Sequence, residues 1–143
     1  MIRALFAAIP LLILPVAAYG ILAVTLGGGL MSPDAQAHLA APLLILPTRG
    51  GGSWPVSAAD VLLAAGLVVA FLDLVKGAGE RRVAIANHAL SITLFMACLA
   101  AMLITPAFAT STFFLLTLMV LLDLVAGFIV AFAPPPEGRP RRR

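Results

Sequence analysis

The chain has 143 residues, of which 62% are hydrophobic and only 10% are charged, and its formal net charge is +3. Soluble globular domains are about one half apolar and about one quarter charged, so this composition excludes a soluble domain and indicates a membrane protein. In a soluble protein the excess of basic residues would suggest nucleic-acid binding. Here the positions of those residues favour anionic lipid and no nucleic acid. The single cysteine, Cys98, excludes an intramolecular disulfide and a cysteine-based metal cluster.

Four long apolar stretches divide the chain, and each is close to the length of about 20 residues that crosses the hydrocarbon of a bilayer. They predict transmembrane helices at about 4–26, 57–76, 83–105 and 111–133. We therefore expect an all-α, polytopic membrane protein with one four-helix domain over residues 1–133. A Pro/Arg-rich tail follows at 134–143.

The basic residues stand almost entirely at one set of helix ends. Only Arg49 stands on the other side, whereas eight basic residues share the first side: Arg3, Lys76, Arg81, Arg82, Arg139, Arg141, Arg142 and Arg143. By the positive-inside rule this side is cytoplasmic, which predicts a bundle with both termini in the cytoplasm. We expect Lys76, Arg81, Arg82 and the four tail arginines to contact anionic lipid headgroups, with the tail as a docking segment for a partner protein as the alternative.

The first apolar stretch contains Pro10 and Pro15, which predict a kink or a short interfacial piece before the crossing. Its beginning also resembles a signal peptide. The uncharged run continues to Met31, however, which is longer than the apolar region of a signal peptide, so we expect an uncleaved first helix.

The predicted periplasmic loop at 27–56 is rich in glycine and proline, and its apolar segment Leu39–Leu46 is too short to span a bilayer. Ser32, Pro33 and Asp34 predict the start of a short helix near 33–41. Since an open backbone is unfavourable in lipid, the residues that follow should pack on the bundle or meet a partner.

The second long helix has a clear beginning. Ser57 and Asp60 have the spacing of a capping box, in which the hydroxyl and the carboxylate bond each other's backbone N–H. Trp54, just before this helix, fits the aromatic belt at a membrane surface.

Three ionisable residues lie inside the predicted helices: Asp73, His88 and Asp123. Each is unfavourable in lipid by a few kcal/mol, so each needs a physical reason. With Asn87 and Ser91 they form a candidate intramembrane polar cluster in the cytoplasmic half of the bundle. One interpretation is a proton or cation path. The other is that Asn87 and His88 bond the aspartates and hold the helices in register.

Catalytic chemistry has weaker support. Ser91, His88 and Asp73 contain the residue types of a hydrolase triad, but no glycine pattern beside Ser91 indicates an exposed nucleophile. His88 is expected within the membrane and His38 in the loop on the periplasmic side, which disfavours a haem or metal site formed by this chain alone. We expect no catalytic residues, no cofactor and no metal.

Asp73 and Asp123 share a local sequence pattern, in which Leu72-Asp73-Leu74-Val75 corresponds to Leu122-Asp123-Leu124-Val125, and each aspartate is followed by a glycine four residues later. A parallel duplication and coincidence both remain open.

The segment Ala109–Thr117, continuing into Leu122–Phe128, resembles the last helix of small four-helix inner-membrane proteins of unknown function found in proteobacteria. The resemblance covers about 57–130 and implies a bacterial inner membrane, without implying catalytic residues. We expect a non-enzymatic accessory or structural subunit that packs with other membrane subunits. The alternative is a small proton-linked transporter or channel that acts as a homo-oligomer, and a third possibility is that the helices only display the periplasmic loop.

Overall fold

The structure is a computed structural model that describes residues 10–77 and 81–132, with side chains described for 10–75 and 87–129. It is mostly helical. In chain order the elements are α1 (Ile13–Thr25), α2 (Ala35–Ala40), β1 (Pro42–Pro47), β2 (Ser53–Ser57), α3 (Ala58–Gly77), α4 (Arg81–Ile104), a 3₁₀ turn (Pro106–Phe108) and α5 (Ser111–Phe132).

Three of these helices are long and apolar enough to cross a membrane. Their most apolar segments have mean hydropathies of 2.2, 1.8 and 2.4 and lie at Ala58–Val75, Asn87–Ile104 and Ser111–Ile129. They correspond to the second, third and fourth helices expected from the sequence. Most of the outward side chains are large and apolar, as a lipid solvent requires.

The first predicted helix, at about 4–26, falls partly on residues 4–9, which lie outside the described part of the chain. Within the described residues it begins at Ile13, after Pro10, and it ends at Thr25. Its 13 residues extend about 20 Å, less than the hydrocarbon thickness of about 30 Å. Pro15 stands in the first turn, where a proline breaks no helical hydrogen bond. The chain turns away beyond the C-cap residue Leu26, at Gly28, whose φ of +80° lies in the left-handed region that favours glycine.

The segment between α1 and α3 contains a β-hairpin, which the sequence analysis did not predict. Strands β1 and β2 pair antiparallel, with Leu46 opposite Trp54 and a bulge between Pro42 and Leu44. The short helix α2 is present, although it begins at Ala35, two residues later than expected. Strand β1 is exposed along its whole length, so it does not cover the bundle.

The capping box at the start of α3 is confirmed. Asp60 N–H donates to Ser57 Oγ at 3.2 Å, and Ser57 N–H donates to Asp60 Oδ2 at 2.9 Å. Strand β2 ends at Ser57 and α3 begins at Ala58, so no loop separates them.

Helix α5 is the central helix of the bundle. It packs along both α3 and α4, whereas α3 and α4 have little contact with each other, and α1 packs mainly on α3. The buried core includes Tyr19 from α1, Leu62 from α3, and Phe113 and Leu116 from α5. Gly66 lets α3 approach α5 closely, because a Cβ there would lie 2.9 Å from Leu116 Cδ2.

Candidate functional site

The five residues of the expected polar cluster lie on three helices. Asp73 is near the C-terminal end of α3, Asn87, His88 and Ser91 are in the first half of α4, and Asp123 is in α5. Because α5 lies between the other two helices, the residues of α4 can meet Asp123 more readily than Asp73. In the structure, Ser91 of α4 contacts Asp123, whereas Asp73 contacts a residue just before α1.

Asp73 joins α3 to the beginning of α1. Its side chain is 1% exposed, and its Oδ2 accepts a hydrogen bond of 2.6 Å from Leu11 N–H. Leu11 precedes α1, where backbone N–H groups have no partner within the helix and carry a partial positive charge. The carboxylate satisfies one of these donors, which gives a structural reason for an aspartate in an apolar helix.

Asp123 joins α5 to α4. Ser91 Oγ donates to Asp123 Oδ2 at 2.8 Å, and Ser91 is 1% exposed. The structure therefore brings together Ser91 and Asp123 from the expected cluster. The Ser91 hydroxyl donates to an aspartate of the neighbouring helix and is closed off from solvent, so this bond links α4 to α5 inside the bundle.

Asn87 and His88 lie one turn before Ser91 on α4, and each has a polar atom without a hydrogen bond. Asn87 Oδ1 and His88 Nδ1 are buried and have no hydrogen-bond partner. The His88 ring packs beside Phe128, with ring centroids 6.0 Å apart, and a Cβ at Gly127 would lie 3.2 Å from His88 Nδ1. Gly127 thus gives the imidazole room between α4 and α5.

The expected lipid contacts fall largely outside the described residues. The backbones of Lys76, Arg81 and Arg82 belong to α3 and α4, but their side chains are outside the described set. Arg139, Arg141, Arg142 and Arg143 lie wholly outside it.

A second polar site, around Tyr19, was missed by the sequence analysis. The Tyr19 hydroxyl donates to the backbone carbonyl of Ala107 at 2.8 Å and bonds Thr110 Oγ1. Thr110 in turn accepts from Phe113 N–H at 3.1 Å, at the start of α5. The rings of Tyr19, Phe108 and Phe113 pack together around these bonds. Two features of the sequence could have indicated this site: Tyr19 is the only tyrosine of the chain, and Thr110 stands just before a helix, where a threonine often caps it.

The outer surface of α3 and α5 forms an open groove of about 530 Å³. Its lining is apolar except for Asp123, and it includes Leu67, Ala70 and Leu74 from α3 and Met119, Leu122 and Ala126 from α5. The groove lies at the level of the membrane-crossing segments, so its natural surroundings are lipid or another membrane helix.

The arrangement is suited to holding helices together. Among the described residues, no group of three or more His, Cys, Asp or Glu side chains could hold a metal ion. The buried Thr117 hydroxyl bonds the backbone of its own helix, where it donates to the Phe113 carbonyl. Comparison of the chain with protein-family models, with curated proteins and with solved structures gives no match.

Proposed function

We propose that this protein is a non-enzymatic accessory or structural subunit that packs within a larger assembly in a bacterial inner membrane. The observation that carries the proposal is the open apolar groove between α3 and α5. The aspartate contacts of the bundle add support, because Asp73 binds the Leu11 backbone and Asp123 binds Ser91 within the chain. These carboxylates act as joints between helices.

The occupant that we assign to the groove is an apolar transmembrane helix of a neighbouring subunit. Two alanines, Ala70 and Ala126, line the groove between larger side chains. Small side chains let a second helix backbone approach closely, which favours association within a bilayer where the hydrophobic effect does not drive it. A lipid chain is flexible and gains less from such a close fit.

The proposed topology has four crossings with both termini in the cytoplasm. Support comes from the distribution of Lys and Arg, since Arg49 is the only basic residue between Arg3 and Lys76. The first crossing would need residues before Ile13, because α1 alone is too short. Lys76, Arg81, Arg82 and the arginines of 139–143 would then contact anionic lipid at the cytoplasmic surface.

Purification of the intact chain from its native membrane in mild detergent tests this proposal, with native mass measurement and identification of the proteins that accompany it. Stoichiometric recovery with a larger complex is the expected result. Recovery as a monomer with lipid only, or as a homo-oligomer without a partner, contradicts it.

A matched pair of variants tests the groove itself. Ala126→Trp places a large ring in the groove and should release the partner. Ala89→Trp places the same ring on an exposed position of α4 away from the groove and should leave the complex intact. Equal retention of the partner in both variants would rule out the groove as the contact surface.

The unbonded Asn87 Oδ1 and His88 Nδ1 atoms favour a second candidate, a small proton-linked transporter or channel that acts as a homo-oligomer. Buried polar side chains within membrane helices are found in proton paths. Asp123→Asn separates the two functions, because it keeps a hydrogen-bonding side chain and removes the ionisable group. Proton flux into vesicles that stops in Asp123→Asn would support the transporter, whereas a scaffold should keep its assembly state.

A further inference from the structure

We infer that the β1–β2 hairpin is a membrane-anchoring element, which lies on the bilayer surface at the N-terminal end of α3 and inserts an apolar face into the lipid. The inference concerns a surface distant from the α3/α5 groove. A test of this inference therefore does not depend on which subunit binds in that groove.

The first support is the apolar surface of the hairpin. On the face that carries Trp54, Leu44 and Leu46 of β1 are 48% and 43% exposed, and Trp54 of β2 is 59% exposed. A two-stranded hairpin is at best marginally stable alone in water, and large contiguous apolar patches on a protein surface mark a contact site. The hairpin therefore needs an apolar phase or partner to cover it.

One face of the hairpin is suited to this role. The register places Leu46 opposite Trp54 and Leu44 opposite Val56, and because side chains alternate along a strand, these four lie on the same face. We call this set the Trp54 face. Tryptophan is the side chain most characteristic of the membrane interface, since its ring is apolar and its N–H can reach water or headgroups.

Two prolines reduce the number of unpaired backbone donors along the edges of the hairpin. Thr48 N–H donates to the Gly52 carbonyl at 2.9 Å, and in an antiparallel ladder bonded and non-bonded pairs alternate from this point. Pro47 and Pro55 then occupy non-bonded pairs, where the backbone nitrogen faces outward. Since proline has no N–H, two outward donors that lipid would leave unsatisfied are absent.

The same prolines argue against strand addition by a partner protein. A partner strand needs a row of outward N–H and C=O groups along an edge. The prolines interrupt both edges, and Ser57 N–H is already bonded to Asp60. Recognition of the hairpin therefore has to come from its side chains, and lipid accepts apolar side chains without a matching shape.

The hairpin lies next to a membrane-crossing helix and carries one basic residue in its turn. Strand β2 continues directly into α3, a helix long enough to cross the membrane, so the hairpin starts at the membrane boundary. Arg49 lies in the turn between the strands and is exposed, where its guanidinium can pair with a lipid phosphate. Interfacial elements bury their apolar face about 5–10 Å below the headgroups.

Trp54 provides the test, because it is the only tryptophan of the chain. The intact purified protein is placed in vesicles whose lipids carry bromine either near the headgroup end or near the end of the acyl chain. Four residues of extended chain, about 13 Å, separate Trp54 from Ala58 at the start of α3. If the hairpin pointed away from the membrane, the indole of Trp54 would therefore be too far from the brominated lipids to be quenched. We expect short-wavelength emission and stronger quenching by the shallow bromines.

Two outcomes would overturn the inference. Long-wavelength emission without quenching would place the hairpin in water. Short-wavelength emission without quenching would place Trp54 against protein, either the bundle or a second copy of the chain.

A matched pair of variants tests the Trp54 face. Leu46→Asn, directly opposite Trp54, should reduce the quenching, whereas Ile45→Asn, on the other face, should leave it unchanged. An equal loss of quenching in both would overturn the assignment of this face. Far-UV circular dichroism checks that each variant keeps its helices.

Discussion

The carboxylate of Asp73 accepts a hydrogen bond from the backbone N–H of Leu11, 62 residues earlier in the chain. An aspartate that is 1% exposed in an apolar helix would be strongly unfavourable without such a partner. The contact places a carboxylate at the N-terminal end of α1, where free N–H groups and the helix dipole favour negative charge. It also fixes the end of α1 against α3.

The first prediction concerns this joint. Asp73→Leu should lower the free energy of unfolding in detergent by about 1–3 kcal/mol, because it leaves the partly buried Leu11 N–H without this acceptor. Asp73→Asn should lose less, since the amide oxygen still accepts the bond. Thermal unfolding followed by circular dichroism measures both. An equal loss in the two variants would mean that the acceptor oxygen is not what residue 73 contributes.

The second prediction concerns the bond between α4 and α5. Ser91→Ala should destabilise the protein by about 0.5–1.5 kcal/mol, because hydrogen bonds between membrane helices are modest. Thr93→Ala is the matched control, since the Thr93 hydroxyl bonds the Ala89 carbonyl of its own helix. A double-mutant cycle with Asp123→Ala measures the coupling directly. Zero coupling energy would contradict the bond.

The third prediction concerns Tyr19. Tyr19→Phe removes the hydroxyl that bonds the Ala107 carbonyl and Thr110, but it keeps the ring between Phe108 and Phe113. We expect a loss of about 1 kcal/mol in unfolding free energy. Tyr19→Leu should lose more, because it also removes the ring contacts. If Tyr19→Phe unfolds like the unchanged protein, the hydroxyl makes no net contribution.

The fourth prediction compares two glycines in apolar helices. Gly66→Ala introduces a Cβ 2.9 Å from Leu116 Cδ2 and 3.3 Å from Met119 Sδ, so α3 and α5 must separate or their side chains must shift. Gly20→Ala meets its nearest atom, Phe108 Cζ, at 3.7 Å, which is ordinary contact. Alanine favours a helix over glycine by about 1 kcal/mol, so Gly20→Ala should be neutral or stabilising.

Overpacking at Gly66 should offset that gain and leave Gly66→Ala less stable than Gly20→Ala by about 1–3 kcal/mol. Unfolding measurements on the two variants in the same detergent give the comparison. Equal stability would show that Leu116 and Met119 move aside freely.

The three long helices could be predicted because length and hydropathy alone define them. The start of α3 was also predictable, since a capping box depends on two residues three positions apart, Ser57 and Asp60. Such local rules need no knowledge of what the helix packs against. The topology and the number of crossings stay predictions.

The hairpin and the partners of the aspartates were not predictable in the same way. The run from Leu43 to Leu46 is uniformly apolar and lacks the polar–apolar alternation of a half-buried strand, and β1 is exposed on both faces. Asp73 bonds a backbone group far away in the chain, which no side-chain pattern indicates. The similar sequences around Asp73 and Asp123 also give no hint that one carboxylate bonds a main-chain amide and the other a serine.

The central position of α5 has a consequence for biogenesis. Helices α3 and α4 are synthesised one after the other, yet they have little contact with each other, and both pack on α5. Until α5 leaves the ribosome and enters the bilayer, α3 can pack on α1, α4 has little to associate with, and Ser91 has no Asp123 to bond. The insertion machinery, or a chaperone within the membrane, would therefore have to keep α4 near the pair of α1 and α3 until α5 arrives.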